Sequence, residues 1–348
     1  MSQIWPMVSV IMSVRDGERF LKRSLDELME QDYPRDRYEV IVVDGGSRDS
    51  TRRILQSYPW RVAHQVVLSD EVLTIPEALN AGIERASGSI LVKMDVRGWP
   101  SRSFLRAAAL RLEQNGEVAG IGGPIVQLGR TRQALANGWA RSSVFGVGRG
   151  PYTQPEAEAL TDSVQCGAYR REALERVGWF DEAMGHGEDE ELNWRLRRAG
   201  YGILFTPQMR FFYFARETAL ALYQQYLWYG DGRVLVVRKH PGFLRLKHLA
   251  PPAWVGTLGA GAAAGVFWRW GWALAAVSAL AWALGAGGAA AGIARRRGRR
   301  YFLPLLGSFL ALHLGYGMGF LRGVWRYLIL RRGFRYRGLA RPASAGAP

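Results

Sequence analysis

The sequence predicts an α/β fold, a mostly parallel sheet with helices on both faces, followed by an α-helical membrane module. Three observations predict it. Short apolar runs alternate with segments of helical spacing from residue 8 to residue 112. Three long uncharged stretches follow residue 248. The formal charge of +16 is unevenly spread: no Asp or Glu follows Asp231, and residues 232–348 carry 18 of the 46 Lys and Arg. The front part, with the other 28 against all 30 acids, is nearly neutral. A basic balance confined to the rear third argues against nucleic acid as a partner and for membrane lipids.

The front elements come in order. Val8–Val14 is a buried strand, and residues 18–30 show helical spacing through Phe20, Leu21, Leu25, Leu28 and Met29. Val40–Val43 is a second strand, ending in Asp44-Gly45-Gly46-Ser47, and Asp49 or Ser50 caps a helix through Leu55. Val62–Leu68 is a third strand, Pro76–Ala86 a helix with Pro near its start, and Ile90–Met94 a fourth strand, ending in Asp95. Phe104–Leu112 is helical, and Gly120–Pro124 is a tight backbone passage. Residues 128–160 read as a long Gly- and Arg-rich loop or lid, residues 180–187 as a loop, and Glu188–Ala199 as a helix opening on four acids.

In sheets of this kind, ligands sit at the carboxyl ends of the strands. Arg15-Asp16, Asp44 with its glycines, and Asp95 all fall there, which suggests a nucleotide-type cleft. No G-x-G-x-x-G and no P-loop motif is present. The lone Cys166 excludes an internal disulfide and reads as a small buried residue. His64, His240, His248 and His313 show no ligand spacing.

The uncharged stretches are residues 249–267, 270–294 and 301–321. A helix rises ~1.5 Å per residue against a hydrocarbon layer ~30 Å thick, so each is long enough to span. Gly261/Gly265, Gly288/Gly292 and Gly315/Gly319 have the four-residue spacing that lets helices approach closely. Arginine clusters at 295–300 and 322–341 would both prefer the cytoplasmic side. A third crossing would separate them, so either that preference fails at the tail or residues 301–321 enter and return. Pro304 and the nearby glycines would permit such a broken helix. Residues 211–248 read as interfacial amphipathic helices and 331–348 as a basic, disordered tail. No signal peptide is visible, so the front part is expected in the cytoplasm.

These pieces carry a resemblance. Arg15-Asp-Gly-Glu18, Val43-Asp-Gly-Gly-Ser-Arg-Asp-Ser-Thr51, Ala78-Leu-Asn-Ala-Gly-Ile-Glu-Arg-Ala-Ser-Gly88, Lys93-Met-Asp-Val-Arg97 and Gly187-Glu-Asp-Glu-Glu-Leu-Asn-Trp-Arg195 occur in that order. The chain resembles the family 2 inverting glycosyltransferases, and its middle section the succinoglycan-biosynthesis, ExoA-like branch. The resemblance implies a GT-A fold, a nucleotide-sugar donor (a UDP-sugar first among them) and a divalent metal, Mg²⁺ or Mn²⁺. It implies that Asp44 contacts the nucleoside, with Ser13, Arg15, Asp16, Gly45 and Asn80 also at the donor. Asp95 matches the first acid of the DXD motif and is the implied metal ligand. Asp189 matches the general base, with Glu188 beside it. His186, Gln224, Trp228 and Arg233 fall on the acceptor side.

Two positions depart from the family pattern. Arg97 replaces the second DXD acid, so charge at the leaving diphosphate comes from Arg97, from a metal on Asp95, or from both. Leu227 stands at the Arg of Q-x-x-R-W, which favours single-sugar addition over polymer synthesis. The implied acceptor is a lipid-linked saccharide for an exopolysaccharide or cell-surface glycan. Two alternatives are transfer to polyprenyl phosphate, an acceptor that needs no base, and a non-catalytic membrane scaffold.

Overall fold

The apolar runs become neighbouring strands of one sheet. A computed structural model describes residues 5–153 and 156–332. The elements of the first half are β1 (Val8–Val14), α1 (Glu18–Leu28), β2 (Tyr38–Gly45), α2 (Thr51–Ser57), β3 (Ala63–Ser69), α3 (Ile75–Ile83), β4 (Ile90–Asp95), β5 (Gly98–Pro100) and α4 (Phe104–Gln114). Then come β6 (Val118–Gly122), β7 (Ile125–Leu128), α5 (Arg132–Arg141), α6 (Val144–Val147), β8 (Ala159–Leu160), β9 (Ala168–Arg170), α7 (Arg171–Val177), α8 (Glu188–Arg198), β10 (Gly202–Phe205) and β11 (Phe211–Phe214).

The main sheet has the order β3-β2-β1-β4-β9-β6-β10-β8. The β3-β2-β1-β4 block is parallel, as is β6 with β10, while β9 runs antiparallel to both β4 and β6. β2 is buried along its whole length, which is why its sequence is nearly unbroken Val and Ile. Alternate residues of β1 face opposite cores. Val10 and Met12 join Leu21, Leu25 and Leu28 of α1, while Ile11 joins Leu79 and Ile83 of α3 and Leu192 and Leu196 of α8. A three-stranded sheet, β5-β11-β7, stands beside the main one.

The helix starts refine the sequence reading. Thr74 and Glu77 form a reciprocal capping box on α3, with Pro76 in its first turn. At α2, Ser50 occupies the cap position without a side-chain bond; Asp49 instead accepts from the Thr51 N–H at 2.9 Å.

The stretch 128–160 is not one long loop. Thr131 caps α5, and Ala136 and Ala140 of that helix are buried against Phe309 and Leu312. Small residues facing another helix leave no strong hydrophobic period, so the sequence reads as irregular.

Four long helices complete the chain: α9 (Ala219–Lys239), α10 (Ala250–Gly265), α11 (Arg269–Arg297) and α12 (Phe302–Gly323). Residues 211–248 are therefore not surface helices throughout, since Phe211–Phe214 is a strand and α9 buries Leu222, Tyr226 and Val234. α9 and α12 run parallel in close contact. A Cβ at Gly319 would overlap the Leu227 carbonyl, one at Gly230 the Tyr316 carbonyl, and one at Gly315 the Tyr223 carbonyl. Gly261 meets α11 similarly, whereas Gly288 and Gly292 face open space and make no such contact.

Arg269–Arg297 and the continuous Arg299–Ile329 are long and apolar enough to cross a membrane. The first expected stretch gives only the 16 residues of α10, about 24 Å of helix. α12 runs unbroken past Pro304, which sits in its first turn, where proline is tolerated. The expected tail largely lies at 333–348, outside the described residues.

Candidate functional site

The carboxyl ends of β1, β2 and β4 gather the predicted donor-side residues. Asp44 is in register with Val14, and Ser13 with Asp95, so the two acids flank β1 at the same level. Asp16 has a left-handed backbone (φ 51°). Its N–H donates to Ser47 Oγ at 2.9 Å, and its carboxylate accepts from the Arg48 N–H at 2.9 Å. The loops after β1 and β2 are thereby joined. Gly46, with φ 79°, passes so close to the Glu71 carbonyl that a side chain would collide with it. Gly45 before it is a buried strand end.

Asp44 is fully buried, and its carboxylate accepts from Arg52 Nε at 2.8 Å. Arg52, which the sequence did not single out, also reaches Asp70 at 2.9 Å. Asn80, expected at the donor, is hydrogen-bonded to the loop before α8. Its amide donates to the Phe180 carbonyl at 2.8 Å and to Glu182 at 2.9 Å, and accepts from the Phe180 N–H at 3.1 Å. It holds the loop that leads into α8 instead of presenting a free amide.

The acids at the start of α8 meet β4 through a buried lysine. Lys93 Nζ lies 2.7 Å from Glu188 Oε1 and 2.6 Å from Asp189 Oδ1, and Lys93 is only 4% exposed. Burial opposes the lysine's charge, but Asp189, Glu188 and Asp95 hold it well above its usual value. Burial pushes the Asp189 carboxyl up to about 7; Lys93 opposes the shift and Glu188 adds to it. For Glu188, burial is more than offset by Lys93, and its carboxyl is lowered. A carboxyl near neutrality at a helix start is suited to general-base work. Lys93 was missed, although a lone lysine inside Ile90–Met94 requires buried acids as partners, and 188–191 is the densest acid run.

The residues expected on the acceptor side lie on α9 and the loop before α8. The His186 ring stacks on Trp228, with centroids 4.9 Å apart and planes 12° from parallel. Burial lowers the His186 pKa, which favours a neutral ring. Gln224 is exposed, one helical turn before Trp228. Arg233 reaches Glu190 at 2.6 Å and ties α9 to α8. Asp231, also missed, is buried and accepts from Arg322 at 3.2 Å and Tyr327 at 2.8 Å.

Arg97 turns toward α1. Its guanidinium lies 4.6 Å from the Phe20 ring and contributes, after Arg19, to holding the Glu217 carboxyl low. Arg15 lies half-buried at the end of β1. The hollow beside Asp95 is lined instead by Arg141, Gln165, Cys166, Tyr213 and Tyr229. Cys166 is buried as expected, and burial pushes its thiol well up. Among the described residues, no three His, Cys, Asp or Glu side chains gather as a metal site. Asp95 would offer one oxygen ligand. That fits a Mg²⁺-type ion, which sits on one or two carboxylates with substrate phosphates and waters completing its shell.

The model of the family "Glycosyl transferase family 2" matches residues 9–178. The succinoglycan biosynthesis protein ExoA of Rhizobium meliloti is 28% identical over 219 residues, 62% of this chain and 65% of that protein. The chain thus spans about two thirds of that relative's length. A Methanococcus voltae dolichyl N-acetyl-α-D-glucosaminyl phosphate 3-β-D-2,3-diacetamido-2,3-dideoxy-β-D-glucuronosyltransferase is 24% identical over 251 residues, 70% of this chain and 77% of that one. The mannosyltransferase PcManGT of Pyrobaculum calidifontis, solved with GDP-Man and Mn²⁺, superposes with a TM-score of 0.58 at 23% identity, covering 90% of each chain. That likeness confirms a GT-A-like α/β domain. The chain therefore carries a glycosyl transferase family 2 domain over residues 9–178.

Proposed function

We propose that this transferase moves one sugar, with inversion, from a nucleotide sugar to a lipid-linked saccharide at a membrane. The observation that carries this reading is the Lys93 link, which holds Asp189 beside the donor strand that ends in Asp95. A UDP-sugar is the first donor to test. Relatives named for succinoglycan synthesis and for a dolichyl phosphate-linked sugar support the class of acceptor.

Inverting transfer is one in-line displacement. The acceptor hydroxyl oxygen bonds to the anomeric carbon, its proton passes to the Asp189 carboxylate, and the nucleoside diphosphate leaves from the opposite face. Asp44 and the joined loops after β1 and β2 would hold the nucleoside. Asp95 would hold a divalent metal, which when bound neutralises charge on the diphosphate. His186 and Trp228 would form the acceptor wall. Residue 227 is leucine, in keeping with addition of a single sugar.

The two long apolar helices support attachment to a membrane. The α10–α11 turn exposes Phe267 (92%), Trp268 (63%) and Trp270 (56%), side chains that suit a headgroup layer.

The test is to incubate membranes containing the full chain with labelled nucleotide sugars and extract the lipid fraction. Label should enter lipid with one donor and be lost in Asp189→Asn, with donor binding retained. Near-normal turnover by that variant would remove Asp189 from its role and favour an already ionised acceptor.

A further inference from the structure

The hollow beside Asp95 contains a cation that the family motifs did not point to. Arg141 ends α5 and is half-buried. Its direct partners are neutral. Nη1 donates to Gln127 at 3.3 Å, Tyr226 hydrogen-bonds with it, and its Cζ lies 5.6 Å from the Tyr213 ring. Tyr229, which shares the hollow, accepts from Gln225 at 2.9 Å. Among the described residues, no carboxylate pairs with Arg141, and Asp95 shares the hollow without an ion pair to it. Several other cations of the same half are paired: Arg52 with Asp44, Lys93 with Glu188 and Asp189, Arg195 with Glu191, and Arg233 with Glu190.

A guanidinium cannot shed its proton, and a charge withdrawn from water without a counter-ion is costly. That cost is recovered when an anion enters the hollow. The planar fork matches phosphate oxygens, which accept two parallel hydrogen bonds from it. Arg141 of α5 and Tyr229 of α9 form part of the wall of the hollow, and both helices pack on α12.

We propose that Arg141 is a phosphate-binding residue of this site, receiving phosphate or diphosphate oxygens of a substrate that occupies the hollow beside Asp95. This rests on the transferase reading given above. Two sources carry that chemistry: the diphosphate of the donor and the lipid-borne phosphate of the acceptor.

Inorganic pyrophosphate and UDP are titrated calorimetrically into the detergent-solubilised full chain and its Arg141→Met and Arg141→Lys variants. Mn²⁺ is present throughout, so any ion on Asp95 is common to all three. The methionine variant should bind pyrophosphate at least tenfold more weakly, with lysine in between, because it keeps the charge and loses the fork. A parallel fall in UDP binding assigns the phosphate to the donor. Unchanged UDP binding with a raised KM for a polyprenyl diphosphate-linked sugar assigns it to the acceptor. Unchanged pyrophosphate binding in a folded Arg141→Met, or no binding by the wild type, overturns the proposal. Should the methionine variant not fold, the lysine variant decides by the same comparison. Pyrophosphate binding that depends on Arg141, in a chain that transfers no sugar, would retain this site and sink the transferase mechanism instead.

Discussion

Lys93 and Asp189 are joined by a 2.6 Å ion pair that ties the end of β4 to the first turn of α8. Taking away the lysine leaves two carboxylates buried without compensation. Losing one partner of a buried pair costs on the order of 3–5 kcal/mol. Lys93→Met is expected to lower transfer about a hundredfold or more, with Lys93→Arg recovering part of it. Steady-state kinetics, alongside a thermal unfolding midpoint, checks this.

The pH profile follows from the same pair. Asp189 acts as a base when deprotonated, and its carboxyl lies at about 7. kcat/KM should therefore rise with pH through that region and level off above it. Lys93 opposes the upward shift, so a residually active Lys93→Met should move the inflection to higher pH. An inflection near the ordinary carboxylate value in the wild type would contradict the assignment.

Glu191 is a second buried acid, with a structural role. It accepts from Arg195 at 2.8 Å, Lys239 at 2.6 Å and His240 at 2.9 Å, linking α8 to the end of α9. Burial opposes its charge, but these partners lower its carboxyl from 4.5 to about 2. A depressed carboxyl contributes stability that is complete above about 4.5 and is lost as pH falls from there toward 2. Glu191→Gln should cost about 3 kcal/mol at neutral pH and flatten the acid limb of the stability curve, as read by denaturant unfolding from pH 7 to pH 3.

Gly319 has no room for a side chain against Leu227. Gly319→Val should force α9 and α12 apart and cost about 1–3 kcal/mol. The same change at Gly288, which faces open space, should be much milder. Thermal midpoints of the two variants make the comparison.

The exposed aromatic turn between α10 and α11 is expected to touch lipid. Replacing Trp268, Trp270 and Trp272 with Ser should reduce quenching of the chain's tryptophan fluorescence by brominated lipids in vesicles while leaving soluble donor binding intact. Undiminished quenching would take the turn out of the membrane reading.

Much of the first half could be read in advance because its strands are central and its helices amphipathic. β1, β2 and β4 announce themselves as apolar runs, and Asp44 and Asp95 fall where the runs end. The run at 188–191 marked the start of α8. Other parts were hidden for physical reasons. α5 packs through alanines, so its buried face carries little hydrophobic contrast. Arg97 occupies the second acid position of the DXD motif in sequence, yet the backbone passes into β5 and its side chain lies against Phe20. Arg141 supplies the cation of the hollow from a segment distant in sequence. Asn80 looked like a donor contact because of its motif, but its amide is occupied by a loop a hundred residues away.

The parallel fit of α9 on α12 limits how the chain can be divided. α9 begins where the sheet domain ends, but its inner side is completed by a helix encoded much later. A fragment ending at His248 would leave Leu222, Tyr226 and Val234 without their cover and would lose Arg322 and Tyr327 as partners of Asp231. Such a fragment should be sticky and poorly folded, so the greasy end belongs to the enzyme's own scaffold and cannot be trimmed off as a detachable tether.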